Sequence, residues 1–265
     1  MVYSALLNVM IGAARKAARL LKRDFGEVEK LQVSVKGPAN FATAADRRAE
    51  ETLYAELTKA RPNYGFLGEE GGTREGADKT HRWIVDPLDG TTNFLHGIPH
   101  FAIAIALERE NAIVAGLVYN PITEELFIAE KGKGAFLNDR RIRVAARRNF
   151  AEALVSCALP HLGRGSVPDN HAELLRVQPH VAGLRRSGAT ALDLAYVAAG
   201  RLDGAWDREI HAWDLAAGIA LVREAGGFVT DLTGGDQMLA RGEAVAGNET
   251  IHRELLRMVG DAAKR

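Results

Sequence analysis

An apolar run that ends in two aspartates stands at residues 83–93, with the sequence Trp83-Ile-Val-Asp-Pro-Leu-Asp-Gly-Thr-Thr-Asn93. A short apolar run of this kind is typical of a buried β-strand, which here would present a carboxylate at its end. Asp86 and Asp89 are three residues apart and flank a proline. Both can therefore reach one cation, together with the Leu88 carbonyl between them. Ligand sets made only of oxygen favour Mg²⁺ over zinc.

The two residues after the aspartates suggest a second chemical role. Gly90 and Thr91 offer backbone N–H groups in a turn or helix start, an arrangement that can hold a phosphate. A simpler explanation is that Asp-x-x-Asp-Gly is an ordinary turn whose carboxylates accept from nearby backbone N–H groups. On these residues alone, both explanations stay open.

Two further groups of carboxylates favour the metal-site interpretation. Glu69 lies in the glycine-rich segment 68–72, and Asp214 precedes an apolar helix predicted over residues 215–224. Each has an alternative role, because a charged loop can simply be solvated and an aspartate at a helix start can cap it.

Hydrophobic periodicity predicts the elements around these residues. Ser4 is expected to cap an amphipathic first helix, and a second helix is predicted over 44–59. Apolar runs separated by charged or glycine-containing turns predict hairpins within 101–119 and 126–137. Residues 65–76 are expected to form a turn region.

The pattern changes near residue 146. Before it, the predicted strands form hairpins; after it, strands alternate with helices predicted over 170–178 and 191–199. We therefore expect an N-terminal metal-binding α+β half, residues 1–146, and a C-terminal α/β half, residues 147–265. No flexible linker separates them, so they should pack as one compact unit.

Composition excludes several classes of protein. The 265 residues are 47% hydrophobic and 26% charged, as in an ordinary globular enzyme. Lysine plus arginine and aspartate plus glutamate each number 34, so no overall field attracts nucleic acid or an anionic membrane. The single cysteine, Cys157, cannot form an internal disulfide. No stretch approaches the roughly 18 apolar residues of a membrane span, and a cytoplasmic protein is expected.

Three acidic strings occur in a fixed order: Gly68-Glu69-Glu70, the segment 83–93, and His211-Ala-Trp-Asp-Leu-Ala-Ala-Gly218. In this order and at these separations they resemble the inositol monophosphatase family of metal-dependent, lithium-sensitive phosphatases, over almost the whole chain. The resemblance implies an α+β fold of stacked α-β-α-β-α layers, of the inositol monophosphatase and fructose-1,6-bisphosphatase type. It also implies a homodimer, and hydrolysis of a small phosphate monoester by metal-activated water.

The resemblance further implies a set of metal ligands. Glu69, Asp86 and the Leu88 carbonyl would hold a first Mg²⁺, and Asp86, Asp89 and Asp214 a second. Glu69 would also face a third, more weakly held ion. Two or three Mg²⁺ ions per active site are therefore expected.

Catalytic roles follow from the same resemblance. Asp46 is similar to the family aspartate that pairs with the Thr91 hydroxyl to orient and deprotonate the attacking water, beside Glu69. Gly90 and Thr91 match the phosphate-binding turn, and Lys36 falls in a loop that carries a lysine in relatives. From the residues alone, Asp46 could equally be an acidic residue favoured by the dipole of its helix.

The second half is expected to supply the substrate pocket. The string Gly188-Ala189-Thr190 matches the family stretch whose backbone lines the sugar pocket. Asp207 lies seven residues before Asp214, where inositol phosphatases carry an acidic residue that accepts ring hydroxyls. Here that residue is the shorter aspartate, with Glu209 nearby, which puts a strict preference for inositol in question.

The favoured function is hydrolysis of myo-inositol 1-phosphate to inositol and phosphate, with a small phosphorylated polyol as the partner. Alternatives within the superfamily are histidinol phosphate, fructose 1,6-bisphosphate and 3′-phosphoadenosine nucleotides. A regulatory relative that binds RNA or the transcription machinery is a different alternative, and only the basic run 140–148 could serve it. A cysteine phosphatase is disfavoured because Gly163 stands where Cys157 would need its arginine partner.

Overall fold

The computed structural model describes residues 3–28, 33–37, 40–160 and 165–260, with the backbone alone for 33–37 and 40–42. The described chain forms a layered sandwich in which two sheets alternate with three layers of helices. This confirms the predicted α-β-α-β-α arrangement. The helices are α1 (Ala5–Phe25), α2 (Ala44–Ala60), α3 (Thr91–Leu95), α4 (Val167–Val177), α5 (Thr190–Ala198), α6 (Ala212–Glu224), α7 (Met238–Arg241) and α8 (Glu249–Val259).

The strands form one small pair and two larger sheets. They are β1 (Val33–Gly37), β2 (Asn40–Thr43), β3 (Tyr64–Gly68), β4 (Gly72–Arg74), β5 (Asp78–Asp89), β6 (Ala102–Arg109), β7 (Ala112–Asn120), β8 (Glu125–Glu130), β9 (Gly134–Leu137), β10 (Arg140–Ile142), β11 (Leu154–Cys157), β12 (Gly183–Arg185), β13 (Gly204–Asp207), β14 (Phe228–Thr230) and β15 (Ala244–Gly247). The eight-stranded sheet has the order β10-β9-β8-β7-β6-β5-β3-β4, and the five-stranded sheet has the order β12-β11-β13-β15-β14. Strands β1 and β2 form the small antiparallel pair.

The first helix begins as the sequence predicts. The Ser4 hydroxyl accepts a hydrogen bond from the Leu7 N–H at 3.1 Å, which caps α1. Met10, Ala14 and Leu21 recur on its buried face. Together with α2, this helix covers one face of the eight-stranded sheet.

Strand β6 shows why the inner helices can approach the sheet so closely. Its side chains alternate between larger residues that face α1 and α2, such as Ile103 and Ile105, and alanines that face α5 and α6, such as Ala104 and Ala106. The alanine face leaves room for the helix backbones. Helices α5 and α6 therefore lie between the two sheets, and α4 and α8 pack on the far side of the five-stranded sheet.

Most local predictions agree with the structure, with one clear exception. The two predicted hairpins are β6–β7 and β8–β9, and both are antiparallel. The prediction of a turn region over 65–76 is wrong, because β3 and β4 lie there. Strand β3 pairs in parallel with β5, and this long-range pairing overrides the turn preference of its glycines.

The predicted boundary near residue 146 falls between the two large sheets in sequence. The eight-stranded sheet uses residues 64–142, and the five-stranded sheet uses residues 154–247. Helix α6 contacts strands of both sheets, so the two parts share one layer. The division into two halves stays a prediction. None of the described helices is long and apolar enough to cross a membrane.

Gly116 on β7 tests the close packing of the inner helices. A Cβ at this position would lie 2.4 Å from the Ala217 oxygen and 2.9 Å from the Ala220 Cβ, both on α6. We expect Gly116→Ala to lower the free energy of unfolding by about 1–3 kcal/mol through overpacking, measured by denaturant titration. The control is Gly12→Ala on α1, where a Cβ meets nothing within 4 Å. A Gly116 variant as stable as the Gly12 variant would contradict this account.

Candidate active site

An irregularity in β5 brings Asp86 and Asp89 to one side of the sheet. Asp86 pairs with Ala104 on β6, whereas Asp89 pairs with Ala102, so three steps along β5 match two steps along β6. In a regular strand, residues three apart point to opposite faces; the extra residue of this bulge changes that direction. Both aspartates are buried, and an Asp86 oxygen accepts from the Leu88 N–H at 2.9 Å.

Asp214 joins these aspartates from the second half of the chain. It lies in the first turn of α6, where one of its oxygens accepts from the His211 N–H at 2.7 Å. Ligand oxygens of Asp86, Asp89 and Asp214 all lie within 4.8 Å of one another. The capping interpretation and the metal-site interpretation of Asp214 are thus compatible.

A second acidic group lies beside the first. Oxygens of Asp46, Glu69 and Glu70 are also within 4.8 Å of one another. Glu69 and Glu70 belong to the turn between β3 and β4, whereas Asp46 is fully buried in the first turn of α2. Its N–H donates to the Thr43 hydroxyl at 2.9 Å, which caps that helix. Glu70 was not among the predicted site residues, although its place beside Glu69 was a signal.

The electrostatics of these groups favour a bound cation. Burial raises the pKa of Asp86 well above its usual value, and repulsion from Glu69, Asp89 and Asp214 raises it further. Burial and the charge of Asp214 likewise raise the pKa of Asp89. Buried carboxylates that repel one another are costly unless opposite charge compensates them, so this donor set fits hard divalent ions. The two acidic groups could hold metal ions.

Gly90 allows the turn that is predicted to bind phosphate to pack tightly. Its φ is 97°, a left-handed conformation that favours glycine. A Cβ here would lie 3.1 Å from the His100 oxygen and 3.3 Å from the Ala189 Cβ. The turn that begins at Gly90 therefore touches the second half of the chain at the stretch expected to line the substrate pocket.

The Thr91 hydroxyl lies between two acceptors. Its oxygen is 3.1 Å from the Leu88 carbonyl oxygen and 3.4 Å from Asp46 Oδ2. Thr91 and Leu88 both line a cavity, whereas Asp46 is fully buried and does not line it. The side chain of Lys36 lies outside the described residues.

Hydrogen bonds tie the two halves of the chain together at this site. Asp89 Oδ2 accepts from the Ala191 N–H in α5 at 2.8 Å. The Asn93 amide donates to the carbonyl oxygens of His100 at 2.7 Å and Ser187 at 2.9 Å. The bonds to Ala191 and Ser187 hold the backbone around residues 187–191 against the segment 89–93.

A cavity of about 150 Å³ opens beside the acidic groups. Its lining comes from both halves of the chain. The predicted site residues that line it are Glu69, Asp86, Leu88, Asp89, Gly90, Thr91, Gly188, Ala189, Thr190 and Asp214.

The predicted substrate residue Asp207 has a different position. It is 2% exposed, and one of its oxygens accepts from the Ala158 N–H at 2.5 Å. Its neighbours Arg208 and Glu209 line the cavity instead. Glu209 has a φ of 57°, which is unusual for a residue other than glycine. Asp207 as a direct substrate contact stays a prediction.

Two charged residues in the cavity wall, the buried Asp193 and the partly buried Arg208, were not predicted from the sequence. Asp193 lies on α5, and burial raises its pKa to about 6. Arg208 donates to Glu173 on α4 at 2.8 Å, so α4 is fixed to the turn before α6. No local signal marked either residue, because the burial of Asp193 and the contact of Arg208 both depend on how distant elements pack.

Comparison with known proteins identifies the family. The sequence model of the inositol monophosphatase family matches residues 3–263. An inositol-1-monophosphatase of Mesorhizobium japonicum is 60% identical over 259 residues, covering 98% of this chain and 97% of that protein.

Two solved structures have the same fold. The extragenic suppressor protein suhB of Bartonella henselae has a TM-score of 0.94 at 55% identity, covering 97% of this chain and 99% of that chain. An inositol monophosphatase from Anabaena has a TM-score of 0.85 at 34% identity, covering 96% of this chain and 94% of that chain. Matched along nearly its whole length in sequence and in structure, the chain belongs to the inositol monophosphatase family.

Proposed function

We propose that this protein hydrolyses myo-inositol 1-phosphate to inositol and phosphate. The observation that carries the proposal is the convergence of Asp86, Asp89 and Asp214 within 4.8 Å of one another, beside a cavity that the phosphate-binding turn also lines. The name of the Mesorhizobium relative supports the same activity. The homodimer and the cytoplasmic location stay predictions.

The acidic residues would hold Mg²⁺ ions. Glu69, Asp86 and the Leu88 carbonyl are the proposed ligands of one ion, and Asp86, Asp89 and Asp214 those of a second. The Leu88 oxygen already accepts from Thr91, but a carbonyl oxygen has two lone pairs and can take a second partner. When bound, Mg²⁺ would lower the pKa of a water molecule and neutralise charge on the phosphoryl group.

Thr91 and Asp46 would handle the proton of the attacking water. A hydroxyl has one hydrogen, so Thr91 can donate to Leu88 or to Asp46, but not to both at once. When it donates to Asp46, its oxygen is free to accept from water. Thr91 can then orient the water for in-line attack on phosphorus, while the buried Asp46 carboxylate draws the proton away. No covalent intermediate is required.

Asp86 is the residue whose loss should separate activity from stability. We expect Asp86→Asn to lower the rate of phosphate release with Mg²⁺ about 100-fold or more. The same change should raise the melting temperature of the metal-free protein at neutral pH. The pKa of Asp86 is raised in the folded state, so its charge destabilises the fold above the pKa of the unfolded chain. Asp78→Asn, at the other end of β5, is the control. Substantial retained turnover by Asp86→Asn would overturn the assignment.

Charge balance predicts how many ions bind. Glu69, Asp86, Asp89 and Asp214 supply four negative charges, which match two divalent ions. A substrate phosphate adds about 1.5 to 2 more near neutral pH, enough to balance a third ion. We expect calorimetric titration with Mg²⁺ to find at most two well-bound ions in the free protein, and a third with a phosphate analogue present. Tight binding of three ions to the free protein would contradict this model.

The acidic residue that accepts ring hydroxyls can be identified by a matched pair of variants. The family resemblance proposes Asp207, whereas Glu209 lines the cavity. We expect Glu209→Gln to raise the KM for inositol 1-phosphate about tenfold with a smaller effect on kcat, and Asp207→Asn to act mainly on stability. The reverse pattern would return the role to Asp207. The same assay with histidinol phosphate, fructose 1,6-bisphosphate and a 3′-phosphoadenosine nucleotide tests the choice of substrate.

A further inference from the structure

Glu50 is a buried carboxylate that the proposed reaction does not use. It lies on α2 four residues after Asp46, so the two side chains project from the same face of the helix. Glu50 is only 3% exposed. Among the described residues it does not line the cavity, and it belongs to neither acidic group that could hold a metal ion.

The Glu50 carboxylate binds the turn that carries Glu69. Its Oε2 accepts from the Glu70 N–H at 2.8 Å, and its Oε1 accepts from the Gly71 N–H at 2.6 Å. Two successive backbone N–H groups therefore donate to one carboxylate. Hydrogen bonds to an ionised acceptor are stronger than those between neutral groups, so this pair fixes the turn at the two positions that follow Glu69.

The glycines of the turn make room for this carboxylate. A Cβ on Gly68 would lie 2.5 Å from Glu50 Oε2, and a Cβ on Gly71 would lie 2.8 Å from Oε1. Neither position can carry a side chain while Glu50 stays where it is. The glycines that surround Glu69 and Glu70 thus have a steric explanation. They leave space for Glu50 to reach the backbone of the turn, while Glu69 lines the cavity.

The surroundings of Glu50 partly compensate its charge. Burial raises its pKa, whereas the two N–H groups and Arg74 favour the ionised form. Arg74 is itself held in place, because its guanidinium carbon lies 4.0 Å from the centre of the Tyr54 ring. The positive charge of Arg74 therefore helps to keep Glu50 ionised where it binds the turn.

We propose that Glu50 is a positioning residue, which holds the β3–β4 turn so that Glu69 presents its carboxylate to the cation site. The inference rests on the proposed role of Glu69 as a metal ligand. On this account α2 supports two parts of the site at once. Asp46, near its start, would draw the proton of the attacking water away through Thr91, and Glu50 one turn later sets the position of the proposed metal ligand Glu69.

The variant Glu50→Gln tests this role with little change in shape. Its amide keeps one acceptor oxygen but turns an NH₂ group toward a backbone N–H, so one hydrogen bond is lost. We expect calorimetric titration with Mg²⁺ alone to show affinity reduced about tenfold or more. The Mg²⁺ concentration for half-maximal phosphate release should rise by a similar factor, while the KM for the ester at saturating Mg²⁺ stays within about threefold.

A second variant disturbs the contact between Glu50 and Gly71 by changing the glycine. Gly71→Ala places a methyl group against Glu50 Oε1 and should weaken Mg²⁺ binding in the same direction. The matched control is Asp231→Asn. Asp231 is also buried and accepts from the N–H groups of Thr233, Gly235 and Gln237, but in a turn that follows the edge strand β14. It should lower the melting temperature without changing Mg²⁺ affinity.

The outcomes separate this inference from the proposed function. Wild-type Mg²⁺ affinity in a folded Glu50→Gln or Gly71→Ala protein would overturn the role of Glu50, and so would an equal loss in Asp231→Asn. The Mg²⁺ titration needs no substrate. If the wild-type protein binds Mg²⁺ but does not hydrolyse inositol 1-phosphate, the proposed substrate fails while reduced affinity in the Glu50 variant still supports the positioning role.

Discussion

Mutual repulsion among buried carboxylates is the constraint around which this fold is arranged. Asp86, Asp89 and Asp214 are all at most 9% exposed, yet they come from a strand of the first half and a helix of the second. Bringing such charges together costs free energy that no single hydrogen bond offsets. The apolar packing of β5 and β6 against α5 and α6 offsets this free energy. The chain thus keeps a destabilising site because a rigid core surrounds it.

The chemistry of the site could be predicted from the sequence better than its geometry. The apolar run before Asp86 predicted a strand, which the structure confirms, and the spacing to Asp89 predicted a pair of carboxylates that could share a cation. Both signals are local. The bulge that turns both side chains to one face could not be predicted, since it depends on the register with β6. The same limit applies to residues 65–76, where pairing with β5 makes strands of a segment whose composition favours turns.

In the candidate site, too, some features could be predicted from the sequence and others could not. The spacing of Asp46 and Glu50 by one helical turn could have been noticed, because side chains four residues apart share a face. What Glu50 contacts could not, since its partners are backbone N–H groups of a distant turn. The exposure of Glu209 and the burial of Asp207, two residues apart, likewise follow from the backbone direction at the end of β13, for which the sequence holds no signal.

The Asn93 amide has a consequence for the rigidity of the cavity. It donates to the carbonyl oxygens of His100 and Ser187, and the second bond holds the segment after Gly90 beside the backbone before Gly188, two glycines that line the cavity. Separating residues 1–146 from residues 147–265 would break the bond from Asn93 to Ser187 and expose apolar side chains that α5 and α6 pack against β6. The protein itself therefore holds the cavity lining around Gly90 and Gly188 in one arrangement, so the binding energy of a ligand there would not be spent on assembling it.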